Sequence, residues 1–210
     1  MRDKAPILII AILTIAVFVV IVVAAGKSEQ TDIASTNVDP SIFLTEGSHI
    51  RGEASASATL VEFSDFQCPA CASFYPIVKQ LESDSRGKLK VVYKHYPLPQ
   101  HKFAQKAAEA AEAASVQGKF WEYHDMLFEN QNDFSLENFK KFAGELGLNQ
   151  AQFDADFDSA KYAGVVRGDI ELGTKLSIDS TPTFYLNGKK LLLRTSDDLK
   201  REIDAVVNSN

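Results

Sequence analysis

Cysteine is nearly absent: Cys68 and Cys71 are the only two among 210 residues. So few exclude the disulfide-dense scaffolds of small secreted domains, and a chain this long buries enough apolar surface to fold without a covalent staple. A second C-x-x-C is missing, and the four histidines, His49, His95, His101 and His124, show no H-x-x-x-H spacing. A closed four-ligand zinc site therefore has no linear signature, and no metal is expected. Lys and Arg do not cluster along one face, and the formal charge is −6. A nucleic-acid partner has no electrostatic footprint here. Internal repeats are also missing; the one biased stretch is AAEAAEAA, Ala107 to Ala114.

Charge is absent from PILIIAILTIAVFVVIVVAAG, Pro6 to Gly26. As a helix, Ile7 to Ala25 would reach roughly 28 Å, about the thickness of a bilayer's hydrocarbon core. A cleavable signal peptide ending at Val23-Ala24-Ala25 is the competing reading, but its apolar region usually runs about 7 to 15 residues, shorter than this one. Residues 1–26 are therefore expected to form an uncleaved transmembrane anchor. Arg2 and Lys4 ahead of the run hold the N-terminus in the cytoplasm and send the remainder outside. The expected location is the cell membrane, single-pass, with the folded domain in the periplasm or on the outer face. Such a compartment is oxidising, so a cysteine pair there is free to be oxidised. Residues 27–48 are polar and lack periodicity, which predicts a flexible tether reaching roughly 25 Å. The folded domain is expected over 49–210.

Thr59 to Phe66 (TLVEFSDF) is short, β-branched and aromatic, and reads as a buried strand. Cys68 and Cys71 follow at once, and Ala72 to Ser83 has helical spacing at Phe74, Ile77, Val78 and Leu81. Leu89 to Tyr96 predicts a second strand, ended by Pro97 and Pro99. From about His101 to Lys175 every signal is helical, including a start at Ser135 and a capping box from Asn149 to Gln152. Strands return in TFYLNGKKLLL, with Asn187-Gly188 as the hairpin turn, and Ser196-Asp197-Asp198 caps a last helix. The predicted class is α/β, with an all-helical insertion over about 101–175 between the second strand and the C-terminal hairpin.

A close cysteine pair serves as a staple, as half of a metal site or as a redox couple. Two ligands are too few for zinc, and a four-residue loop recovers little chain entropy as a staple. The working dithiol is the reading these residues favour. Opening a helix, Cys68 sits where unpaired backbone N–H groups and the positive dipole end favour a thiolate, which makes it the nucleophile and Cys71 the resolving thiol. The dipole supplies up to about 2 kcal/mol, whereas lowering a thiol pKa from about 8.5 to about 5 takes near 5 kcal/mol. Direct N–H bonds from Ala70 and Cys71 are expected to carry much of the remainder.

At these residues the chain resembles the DsbA-type thiol-disulfide oxidoreductases of bacterial cell envelopes, within the thioredoxin superfamily. LVEFSDFQ, CPAC, Pro76 eight residues beyond Cys68, the helical insertion and STPTFYLNGK agree in order from about Ile50 to the end. The resemblance implies a thioredoxin fold with that insertion, and no cofactor. It implies a cis-proline at Thr181-Pro182, leaving the Thr181 backbone free to pair with an extended substrate, and a buried acid at Glu62 that exchanges a proton with Cys71. Substrates would be thiol-containing exported proteins, with reoxidation by a membrane partner of the DsbB or VKOR type. Strongly oxidising relatives often carry histidine where this chain has Ala70. Reductase or isomerase action therefore remains the alternative within the class, and a peptide-binding module with a structural disulfide the alternative outside it. Asp65 reads as a solvated turn residue. Phe120, Trp121, Tyr123, Leu127 and Phe128 read as a packing face, and His95 and His101 as structural or exposed.

Overall fold

A computed structural model of the chain describes residues 37–45 and 47–208. The expected anchor and the first part of the tether lie outside them. Among the described residues no helix is long and apolar enough to cross a membrane.

After a 3-10 turn at Pro40–Phe43 come β1 (His49–Arg51), β2 (Ala58–Ser64), α1 (Pro69–Asp84) and β3 (Leu89–His95). Five helices follow: α2 (Ala104–Ser115), α3 (Phe120–Glu129), α4 (Leu136–Glu145), α5 (Gln150–Asp158) and α6 (Ala163–Lys175). The chain then returns through β4 (Thr183–Leu186), β5 (Lys189–Lys190) and α7 (Ser196–Val207). The strands form one sheet in the order β1-β3-β2-β4-β5. Only β2 and β3 run parallel, with α1 as their crossover; the other neighbours are antiparallel.

All seven residues of β2 are buried, as a strand covered on both faces requires. Side chains alternate along it. Leu60 joins Val91 and Phe184 beneath Val78 and Leu81 of α1 and Leu199 and Ile203 of α7. Val61 and Phe63 pack on the opposite face with Phe43, Val92, Ile178 and Tyr185. The insertion helices build their own aromatic core around Tyr123, Phe139, Phe153 and Phe157, and that core runs into the cysteine pair through Phe66 and Tyr93.

The folded body starts earlier than the predicted tether allows. Phe43 is fully buried, its ring 5.1 Å from that of Tyr185 and 6.0 Å from that of Phe63. Val38 N–H donates to the Gly188 carbonyl at 2.9 Å. Residues 37–45 thus belong to the domain, and a tether running to residue 48 is too long. Gly188 permits the approach: a side chain there would put its Cβ 2.1 Å from the Val38 oxygen. Asn187 and Gly188, at φ 48° and 86°, supply the two left-handed positions of the hairpin turn. Burying one phenylalanine contributes about 1.5–3 kcal/mol toward seating a segment with no periodicity to announce it.

Two helix starts also differ from the expected caps. Asn149 accepts from Gln152 N–H, but the side chain of Gln152 does not complete the box. The last helix is capped by Thr195 rather than Ser196, in a reciprocal box with Asp198.

Candidate active site

The turn from β2 into α1 carries the cysteines. Cys68 is the N-cap of α1 with an extended backbone, Pro69 begins the helix, and Pro76 lies inside it. Both cysteines are free thiols. Cys68 is 6% exposed and Cys71 is 0% exposed. A substrate can meet only the first. Cys68 Sγ lies 3.4 Å from the Thr181 carbonyl oxygen, and the Thr181–Pro182 peptide is cis. The loop before β4 therefore faces the pair directly.

The two thiols have opposite electrostatics. Cys68 is lowered to about 5, first because the Cys71 thiol hydrogen-bonds its sulfur, with Thr181 and the backbone N–H groups of Cys71 and Ala70 adding to this against the cost of burial. Cys71 is pushed far up by burial, then by its bond to Cys68 and by the nearby Glu62 carboxylate. Burial also raises Glu62 to about 7, outweighing Ser64, which favours its charged form. A thiolate, a protonated thiol and a carboxyl able to hold or release a proton near neutrality thus share one face of the sheet.

That face follows from strand parity and register. Glu62 alternates with Val61 and Phe63, so it shares its side with Leu60 and α1. Its partner across the parallel pair is Tyr93. Tyr93 OH, Ser64 Oγ and Glu62 Oε1 are all buried and have no hydrogen-bond partner at standard distances among the described residues. A cavity of about 10 Å³ lined by Glu62, Tyr75, Tyr93 and His124 has room for about one water.

A polar lattice holds the turn from the other side. Asp65, only 1% exposed, accepts from Gln67 N–H at 2.7 Å, from Leu98 N–H at 2.8 Å and from His101 Nδ1 at 2.6 Å. Its own N–H donates to Cys71 Sγ at 3.5 Å. The expectation of a solvated Asp65 is therefore corrected, because three donors replace the water it would otherwise need. Gln131, just after α3, donates to the carbonyls of Phe66 at 2.7 Å and Cys68 at 3.1 Å. The insertion thus grips the turn it covers.

A family profile described as Thioredoxin matches residues 44–205. The chain belongs to the thioredoxin family. Among solved structures, this thioredoxin-family chain is similar to oxidised BdbD from Bacillus subtilis, 26% identical with a TM-score of 0.70, over 83% of this chain and 98% of that one. DsbA2 from Pseudomonas aeruginosa is 25% identical with a TM-score of 0.60, over 75% and 93% of the two chains. The thiol-disulfide exchange protein alpha-DsbA2 from Wolbachia pipientis, at 22% identity and a TM-score of 0.67 over 75% and 86%, bears on the fold alone. With these neighbours the α/β domain is a thioredoxin fold with a helical insertion, similar to that of DsbA-type proteins. A curated relative, the Na(+)/H(+) antiporter NhaA 3 of Salinispora tropica, is 36% identical over 79% of this chain. Because the chain spans about a quarter of that protein's length, 24%, its name describes far more than the matched segment.

The residues singled out in the sequence lie together in this thioredoxin-family domain: Cys68 and Cys71 at the turn, Thr181 and Pro182 across from them, Glu62 beneath. Tyr93, Gln131 and the buried role of Asp65 went unread. Parity along LKVVYKH puts Tyr93 on the same face as Leu89, Val91 and His95, but only pairing shows that this face is Glu62's. His95 is buried and His49 nearly so, and both rings meet Glu112. The chain thus assembles in space a group of potential metal ligands that no linear spacing reveals.

Proposed function

We propose that this protein is an extracytoplasmic dithiol oxidase that introduces disulfides into exported proteins through Cys68 and Cys71. The observation that carries the reading is the inequality of the two thiols: Cys68 held at about 5 and Cys71 pushed up by burial. Stabilising the Cys68 thiolate stabilises the reduced form, and a dithiol that prefers to be reduced is an oxidant toward others.

In the oxidised enzyme a substrate thiolate attacks Cys68 Sγ. The Cys68–Cys71 bond breaks, a mixed disulfide forms, and the electron pair leaves on Cys71. Glu62, protonated below about 7, gives its proton to that sulfur and so removes a buried charge. A second substrate thiolate then attacks the substrate sulfur of the mixed disulfide and expels Cys68 as a thiolate. The substrate loses two electrons and the enzyme gains them. A membrane partner of the quinone-linked DsbB or VKOR type would take those electrons and restore the disulfide.

A groove of about 560 Å³ beside Pro182, floored by Phe74, Phe184, Leu191 and Leu193, supports an extended apolar peptide as the substrate segment, paired with the Thr181 backbone. The uncharged run from Pro6 to Gly26 supports a single-pass anchor that keeps the domain at the outer membrane face. Redox equilibrium with glutathione tests the direction of transfer. A potential well above the roughly −270 mV of thioredoxin fits the oxidase; one near it would establish the reductase. Detection of the mature chain in soluble extracts starting at Gly26 would remove the anchor.

A further inference from the structure

His49, His95 and Glu112 take no part in the thiol chemistry. They come from β1, β3 and α2, and Glu112 lies 63 residues from His49 and 17 from His95. Both Nε2 atoms nevertheless converge on one oxygen, Glu112 Oε1, at 2.6 and 2.8 Å. The three ligand atoms all lie within 4.8 Å of one another.

Packing fixes these side chains in advance. The His49 ring stacks on Phe120, with centroids 3.4 Å apart and planes 6° from parallel. His95 is 1% exposed and sits edge-on to Tyr93 and Phe120. Glu112 is 5% exposed, and no lysine or arginine among the described residues pairs with it. Its Oε1 alone takes both ring contacts. The group is a buried carboxylate whose charge is met only by imidazoles. Lys94, on the same strand as His95, is engaged with Asp169 at 3.0 Å, and His124 is kept neutral near pH 7 by burial. Hydrogen bonding does not exhaust the cluster either: His95 Nδ1 is buried and has no partner among the described residues. That nitrogen can take the proton Nε2 must shed to offer a lone pair.

We propose that His49, His95 and Glu112 bind a divalent transition-metal ion of the zinc class. Two imidazoles and one carboxylate suit such an ion, whereas calcium and magnesium want mostly oxygen ligands in larger number. Metal bonds of about 2.0–2.2 Å set tetrahedral ligand spacings of about 3.4 Å, so Glu112 Oε1 draws back from the two Nε2 atoms by about 0.7 Å. A cavity of about 350 Å³ reaches His49, with Thr45 and Ser48 in its wall, and water fills the fourth position. The ion ties β1 and β3 of the sheet to α2 of the insertion. Its effect is on stability, by mass action on the folded state.

The test uses the full chain with Cys68 and Cys71 oxidised, so that the thiols cannot ligate, stripped with chelator and titrated with Zn²⁺ and Co²⁺. One equivalent should survive gel filtration. Co²⁺ should give visible ligand-field bands without a thiolate charge-transfer band, and Tm should rise by about 5–10 °C at a hundredfold excess over Kd. His49→Gln and Glu112→Gln should each weaken binding at least tenfold, while the Cys68→Ser/Cys71→Ser double variant should bind as the parent does. Retention of no ion by the oxidised parent overturns the proposal. So does binding that survives His49→Gln but vanishes in the cysteine double variant. If Glu112→Gln fails to fold, the parent titration and His49→Gln still decide.

Discussion

Alternate residues of β2 build two different environments from one heptapeptide. Val61 and Phe63 face a layer of Phe43, Val92, Ile178 and Tyr185; the ion pair there, Lys94 with Asp169, is completed by Ser48 and the His95 N–H. On the other face Glu62 and Ser64 meet Tyr93, Cys71 and the insertion, with polar atoms left unpaired. Buried polar groups cost free energy unless satisfied, so the apolar face supplies the stability that lets its neighbour hold reactive groups. Packing and chemistry are separated by one residue of strand period.

Substitutions on the two faces should differ in kind. Cys68→Ser should lower thiol-disulfide exchange on the order of 10³-fold or more, and should abolish the thiolate absorbance step expected of the parent with a midpoint near 5. Because the Cys68 pKa is depressed on folding, its contribution to the reduced protein is complete only above the ordinary thiol value and is lost as pH falls through 5. The stability advantage of the reduced parent over Cys68→Ser should shrink across that window in denaturant titrations. Full biological function in the serine variant, without exchange activity, would leave a peptide-binding module as the reading.

Phe63→Ala, on the packing face, should cost about 3–5 kcal/mol in urea unfolding while leaving the Cys68 titration where it was. A shifted midpoint would mean that the two faces are not independent. Glu62→Gln should act in the opposite sense. The carboxyl of Glu62 is raised from 4.5 to about 7, so its stability contribution is present below 4.5 and lost as pH rises through 7. Removing the charge should therefore stabilise the protein by about 3 kcal/mol above pH 8, with little effect near pH 4, and should flatten the pH profile of Cys71 release near 7. An unchanged profile would remove Glu62 from the proton path. The smallest effect is expected from Gln131→Ala, about 1–2 kcal/mol, together with faster amide exchange around Phe66 to Cys68.

Much of this architecture is legible in one dimension because its signals are local. TLVEFSDF followed by CPAC places two thiols where a strand becomes a helix, and Asn187-Gly188 marks the hairpin. The 3-10 turn at Pro40–Phe43 escaped because its anchor, Phe43, is a single residue whose partners lie in β2 and β4. Asp65 misled for a similar reason: its donors Leu98 and His101 arrive from beyond β3, and an aspartate in a turn shows no sign of them.

The sequence by itself determined the class of chemistry, since a lone C-x-x-C before a helix, with Thr181-Pro182 ahead of a hairpin, needs only neighbours along the chain to be recognised. The family resemblance added Glu62 as a buried acid, on one face of its strand. Only the tertiary structure decided what shares that face. The register of β2 against β3 sets Tyr93 beside Glu62, and the docking of α2 on β1 and β3 brings Glu112 to His49 and His95. Register and docking are settled by the packing of whole faces between segments far apart in the chain, and no local pattern contains that information.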